Sequence, residues 1–95
     1  MLVQVVKFQS KLSFKKVNEL YKKRAPEYEK VQGLIQKYYV KTRDGKYFGG
    51  IYVWESEEAL KKFRNSDLAG SISEKYQVIG QEEVETYEVA FPLRK

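Results

Sequence analysis

Apolar residues fall along this chain in two rhythms, and the switches between them mark out its elements. From Leu2 to Phe8 the period is two: Leu2, Gln4, Val6 and Phe8 share one face, and Val3, Val5 and Lys7 the other, as in a strand. At Ser13, a residue suited to capping a helix, the spacing becomes helical, with Phe14, Val17, Leu20, Tyr21 and Tyr28 on one stripe. Pro26 predicts an end or a kink near Arg24, because proline lacks an amide hydrogen and its ring crowds the preceding turn. Gly33 breaks the chain before a second predicted strand, Leu34 to Thr42. Asp44-Gly45 then reads as a two-residue hairpin turn, with Lys46 to Trp54 returning antiparallel. Ser56 caps the next helix, whose first turn carries Glu57 and Glu58 where the dipole favours negative charge; Ala59, Leu60 and Phe63 form its apolar side. Asp67 is expected to cap a further segment holding Leu68, Ile72 and Tyr76. Gly80 is expected to end it, and Val84 to Phe91 to form the last strand.

The order β-α-β-β-α-β over residues 1–95 predicts a single α+β, ferredoxin-like domain: a four-stranded antiparallel sheet with its helices on one face. A two-residue turn fixes the hairpin register. Tyr39 then faces Gly50, Lys37 faces Tyr52, Ile35 faces Trp54 and Lys41 faces Phe48; on the opposite side Tyr38 meets Ile51, Val40 meets Gly49 and Gln36 meets Val53. A longer turn would reshuffle these pairs. Both faces of the second and third strands are apolar, whereas a strand wet on one side alternates. Helices of a chain this short cover one face, so the other is expected to pack, sheet to sheet, in a homodimer.

Cysteine and histidine are both absent. Disulfides, Cys–His zinc sites, thiol nucleophiles and histidine-ligated haem or iron are thereby excluded. Proton transfer near neutral pH falls to Tyr, Lys or a shifted carboxylate. No spacing resembles a calcium loop or a phosphate-binding glycine loop, so neither metal nor cofactor is expected. The net charge of +5 is spread over the chain, which suits a solvated basic surface. No apolar run approaches a membrane span, and Met1 to Lys7 lacks the pattern of a signal peptide, so a cytoplasmic protein without a membrane partner is expected. Lys46 to Val53 matches the third-strand signature of RNA-recognition motifs at Lys46, Phe48, Gly49 and, loosely, Ile51. It fails at Tyr47, Gly50 and Val53, and the first strand offers no aromatic partner, so specific nucleic-acid binding is not expected.

Gly49-Gly50-Ile51-Tyr52-Val53-Trp54, the helix opening Glu55 to Leu60, and Ser66-Asp67 resemble the antibiotic-biosynthesis monooxygenase group of dimeric α+β barrels, nearest to its small YdhR-like mono-oxygenases. The resemblance implies a ferredoxin-like protomer whose sheet packs on a partner's, a ligand pocket between sheet and helices, and oxidation of a phenolic or quinol-like compound with O₂ and no cofactor. Haem-degrading relatives carry Trp and His where this chain has Phe63 and Ser73, so haem degradation is not implied. Polyketide-oxidising relatives carry Asn and Tyr where this chain has Gly50 and Leu60; of that pattern Trp54 alone is kept.

Tyr52 and Lys37 are the candidate catalytic pair. Lys37 opposite Tyr52 would supply the phenol with a partner and lower its pKa, giving a phenolate that takes a proton from an acidic phenol or anthrone-like carbon. Trp54, Tyr39, Gly50, Phe63 and Arg64 are candidates for binding a small aromatic substrate. Each has a plainer reading. Trp54 suits a core, Lys37 an edge strand where its stem covers apolar surface, Tyr52 a space-filling role, the glycines close packing, and Arg64 a helix C-terminus. A non-catalytic ligand-binding or interaction module is the alternative on the same fold.

Overall fold

The computed structural model describes residues 1–94. Along the chain run β1 (Leu2–Ser10), α1 (Phe14–Glu29), β2 (Leu34–Lys41), β3 (Phe48–Trp54), α2 (Glu57–Arg64), the single turns α3 (Asp67–Gly70) and α4 (Ile72–Lys75), and β4 (Val78–Glu88). The four strands form one antiparallel sheet in the order β2-β3-β1-β4. This is the ferredoxin-like α+β arrangement, with β1 and β3 central. Gln4, Val6 and Phe8 of β1, and Phe48, Gly50, Tyr52 and Trp54 of β3, are buried on the helix-covered face. Two apolar clusters fill the layer between sheet and helices. One gathers Phe8, Val17, Tyr21, Phe48, Ile72 and Tyr76; the other gathers Val6, Tyr28, Tyr52, Trp54 and Phe63. Among the described residues, no helix is long and apolar enough to cross a membrane.

Pro26 neither ends nor delimits α1, which continues to Glu29. The amide hydrogen it lacks would have met the carbonyl of Lys22, an exposed residue whose oxygen water can satisfy. One turn further on, Tyr28 packs its ring on those of Tyr39, Tyr52 and Phe63, and that burial holds the last turn helical.

The hairpin turn is wider than two residues, yet the register survives. Thr42 donates its amide to the Tyr47 carbonyl at 2.9 Å, and Tyr47 returns its own to Thr42 Oγ1 at 3.1 Å. Residues 43–46 form the loop, closed by Gly45 N–H to Thr42 O at 2.9 Å, with Gly45 in the left-handed region at φ 76°. The loop has opened by one residue on each side, so Tyr39 still faces Gly50, and Lys37 still faces Tyr52. The one departure is at Ile35. A bulge puts Leu34, not Ile35, opposite Trp54, and turns Ile35 outward at 57% exposure.

The C-terminal third differs more from expectation. Ser66, not Asp67, caps the segment after α2: its hydroxyl accepts the Ala69 amide at 3.3 Å. The helical stretch ends at Tyr76, and Gln77 takes the positive φ (47°) that stops it. The last strand starts at Val78, six residues before Val84, and stops at Glu88 short of Phe91. Gly80 therefore lies inside β4 at φ 71°, where the pairing with β1 shifts between Lys7 and Gln9.

Candidate functional site

The register places Lys37 on the helix-facing side of an edge strand, opposite Tyr52. Its stem crosses above Gly50: a Cβ at that position would stand 3.0 Å from Lys37 Cε and 3.3 Å from Tyr52 Cε1. The missing side chain at residue 50 thus makes the channel through which the lysine reaches inward. The nitrogen ends among three tyrosine rings, 3.3 Å from the centre of Tyr28, 4.3 Å from Tyr39 and 4.6 Å from Tyr52. Ring faces of this kind favour the ammonium. Burial and, after it, the nearby Arg24 charge act the other way and bring the Lys37 pKa down to about 6.

The same burial pushes the Tyr52 phenol well above 10, with the neighbouring tyrosines adding to the rise. The expected activation of Tyr52 by Lys37 is therefore reversed. The lysine meets the ring of Tyr52 rather than its hydroxyl, and burial moves the two groups in opposite senses, the amine down and the phenol up. Tyr39 is raised to about 12 for the same reason; its hydroxyl is buried without a partner.

Two spaces meet at this point. A cleft of about 350 Å³ opens between α1 and the β2 edge, with Tyr28, Glu29, Leu34, Gln36, Lys37 and Tyr39 among its walls. Inside it, a pocket of about 10 Å³, room for one water, is bounded by Gly50, Tyr52, Tyr21 and Tyr76. Tyr28 and Lys37 line both, so the two spaces adjoin along these side chains.

The remaining sequence candidates lie off this junction. Trp54 is fully buried, stacked on Tyr52 with ring centres 5.8 Å apart, and its indole N–H donates to Gln4 Oε1 at 3.3 Å. Phe63 packs behind it on Tyr28, Tyr52 and Trp54. Arg64 is exposed at the end of α2. Three residues not singled out as site candidates belong to the same interior: Tyr28, Arg24, which is 8% exposed, and Glu82, whose Oε2 is buried without a partner. The signal for Arg24 was available, since it falls on the apolar stripe Val17, Tyr21, Arg24, Tyr28, where a solvated arginine does not belong. Among the described residues, no group of three or more His, Cys, Asp or Glu converges as metal ligands.

A family model described as "Putative mono-oxygenase ydhR" matches residues 2–93. No curated protein sequence matches the chain. Among solved structures, SnoaB from Streptomyces nogalater, described as a cofactor-independent oxygenase, superposes with a TM-score of 0.78 at 12% identity, covering 99% of this chain and 97% of that one. A monooxygenase from the gene ActVA-Orf6 of Streptomyces coelicolor, solved with the ligand nanaomycin D, gives 0.77 at 20% identity, covering 99% and 91%. A conserved protein from Methanosarcina mazei gives 0.71 at 23%, covering 92% and 91%. At these identities the likeness of the solved structures shows the fold.

Proposed function

The chain belongs to the ydhR family of putative mono-oxygenases, and from that premise we propose that it oxidises a small phenolic or quinol-like compound with O₂ without a cofactor, using Lys37 as the base. One observation carries the reading. Lys37 lines both a cleft of about 350 Å³, a volume suited to a small aromatic molecule, and the inner pocket behind it, with its nitrogen caged by three tyrosine rings. With Cys and His absent, the polar groups on the cleft are this lysine, Tyr28, Tyr39, Glu29 and Gln36.

For an anthrone-like methylene the steps balance as follows. The amine takes one C–H proton, and the carbanion gives one electron to O₂. Superoxide and the carbon radical join in a C–O bond, and the peroxide receives the proton back from the Lys37 ammonium. Loss of the second C–H proton with cleavage of the O–O bond leaves a carbonyl and water. Lys37 ends as it began. The Tyr52 and Tyr39 phenols, both raised by burial, stay protonated throughout; Tyr39 lines the cleft with its hydroxyl buried, and Tyr52 lies behind it on the inner pocket. Trp54 and Phe63 back the tyrosine wall without facing the cleft.

We assign the working unit as a homodimer. The sheet face away from the helices carries Val3, Val5, Ile51 and Val53 with Tyr38, 55% exposed, an apolar surface that supports packing against a second copy. The non-catalytic alternative draws support from the inner pocket, which admits one water and no ring. Oxygen uptake decides between the two. Purified protein, checked for metal by elemental analysis, should consume O₂ with an anthrone or quinol, and Lys37→Met should not. Silence across a panel of anthrones, quinols and flavonoids would leave the binding module.

A further inference from the structure

Charge is unevenly divided along the chain, and the fold turns that division into a direction. Residues 1–46 hold twelve Lys and Arg against four Asp and Glu, whereas residues 47–95 hold six against nine. In the sheet, β2 and β4 lie at opposite edges. The β4 edge carries Glu82, Glu83, Glu85 and Glu88. Over the β2 edge packs α1, through Tyr21 and Tyr28 on Tyr39, and its exposed lysines are Lys15, Lys16, Lys22 and Lys23. One edge is therefore basic and the other acidic.

The cleft opens on the basic side. Its walls hold Ala25 and Glu29 from α1, and Lys37 and Tyr39 from β2. The helical repeat sets Lys22 seven residues before Glu29 and nearly in line with it, with Lys15 seven residues before Lys22. The strand repeat of two sets Lys41 on the face of Lys37 and Tyr39. Continued past Ala25 and Tyr39, the groove thus runs between Lys22 and Lys15 on one wall and Lys41 on the other. All three lysines are exposed, and among the described residues none forms an ion pair. Lys41 Nζ rests 5.2 Å from the centre of the Phe14 ring. Two carboxylates share this side. Glu29 stands one turn beyond Ala25, away from Lys22, and Glu19 lies one turn from Lys15 and from Lys22 without pairing with either.

An uncharged aromatic molecule gains little from such a rim. One that carries a carboxylate gains twice: the field of the basic edge draws it in, and the ammonium groups at the end of the groove receive its oxygens. At physiological ionic strength that field reaches about 8 Å, so it acts at the mouth of the cleft and not across the whole molecule. We infer that the substrate is an aromatic acid, its ring in the cleft beside Tyr39 and Lys37 and its carboxylate between Lys22 and Lys41. The inference rests on the reading of this cleft as the substrate site, and narrows phenolic compounds to phenolic acids. The Lys37 nitrogen, enclosed by three tyrosine rings, is left for the reacting part of the ring.

Para-hydroxybenzoate and para-hydroxybenzamide share a ring and a shape and differ in charge. Titrated into the ¹⁵N-labelled full chain, both should shift the backbone amides of Ala25, Lys37 and Tyr39. The acid should bind about tenfold more tightly at low salt, the worth of two exposed charge pairs. That preference should fade in 1 M salt, where screening acts within ~3 Å. Lys22→Glu combined with Lys41→Glu should abolish it and leave the affinity for the amide unchanged. Lys16→Glu combined with Lys23→Glu makes the same change in net charge on the other flank of α1, and should keep most of the preference. Equal binding of acid and amide, no binding of the acid, or an equal loss in the two double variants overturns the inference. If the acid is preferred by a protein that consumes no O₂ across the panel, the oxygenase reading alone fails. If a protein that consumes O₂ binds acid and amide alike, this inference alone fails.

Discussion

Gly49 donates its amide to the hydroxyl of Tyr21 at 3.0 Å, and that hydroxyl donates in turn to the carbonyl of Val40, the residue paired with Gly49, at 2.9 Å. One tyrosine of α1 therefore clamps both strands of the hairpin, one residue away from Tyr39 and Gly50.

The two adjacent glycines should respond differently to a methyl group. At Gly49 a Cβ would fall 1.8 Å from the Val6 carbonyl oxygen, and backbone cannot step aside. Gly49→Ala should cost about 3 kcal/mol or more, the upper end for single substitutions. At Gly50 the crowded atoms belong to the Lys37 and Tyr52 side chains. Gly50→Ala should fold close to normally and lose turnover, because the amine is pushed from its cage. Thermal melts and oxygen uptake on both variants check the contrast.

Lys37→Met should lower kcat by about 10²–10⁴, the usual worth of a general base, while leaving aromatic ligand affinity within a few-fold. In the native protein kcat should rise with pH through about 6 and then level. Tyr52→Phe should cost less, as it removes a donor and leaves the base. Steady-state oxygen consumption from pH 5 to 9 reads all three.

Stability should follow a matching pH curve. Lys37 binds its proton less well folded than unfolded, so its penalty is full below about pH 6 and is relieved as pH climbs toward 10.5. Tyr21 and Tyr39, both raised to about 12, act oppositely: the stability they contribute is present below pH 10 and lost between 10 and 12. Urea midpoints should rise from pH 6 toward 9 and fall above 10. Lys37→Met should flatten the lower limb.

Sedimentation should find a dimer at micromolar concentration. Ile51→Glu, which sets a charge in the apolar open face between Tyr38 and Val5, should dissociate or unfold it. A monomeric native protein would remove the sheet-to-sheet assembly.

Sequence-specific RNA binding at physiological salt should be absent. Phe48, the matching aromatic of the RNA signature, is 5% exposed and packs between sheet and helices against Phe8 and Phe14. The open face of β1 and β3 presents Val3, Val5, Ile51 and Val53, none able to stack a base. Filter binding with and without salt, on the native chain and Phe48→Ala, tests this.

The periodicity of the chain carried the fold well and the site unevenly. Strand faces and hairpin pairing were readable because burial enforces a period of two, and a one-residue slip would have turned Tyr52 and Trp54 to the wrong side. Pro26 does not end the helix because local propensity speaks only for its own turn, whereas Tyr28 is held from outside that turn by Tyr39, Tyr52 and Phe63. The start of β4 was hidden by Gly80, read as a helix stop when it is a bulge within a strand. Lys37, Tyr52, Tyr39 and Gly50 share a face by register alone, so their grouping was visible. Which of them holds a proton was not, since that depends on Arg24 arriving from another element and on how deeply the cage is buried.

The clasp formed by Thr42 and Tyr47 also offers a practical handle. Whatever lies between them hangs beyond one backbone bond and one bond to the Thr42 hydroxyl, so the tip can be altered without moving the strands that carry Lys37 and Tyr52. In a chain without cysteine, Lys46→Cys would create a lone thiol at this exposed tip. A dye attached there would label each chain once, on the loop and away from the cleft. Energy transfer between donor- and acceptor-labelled copies would then report whether two copies associate, and how fast they exchange if they do.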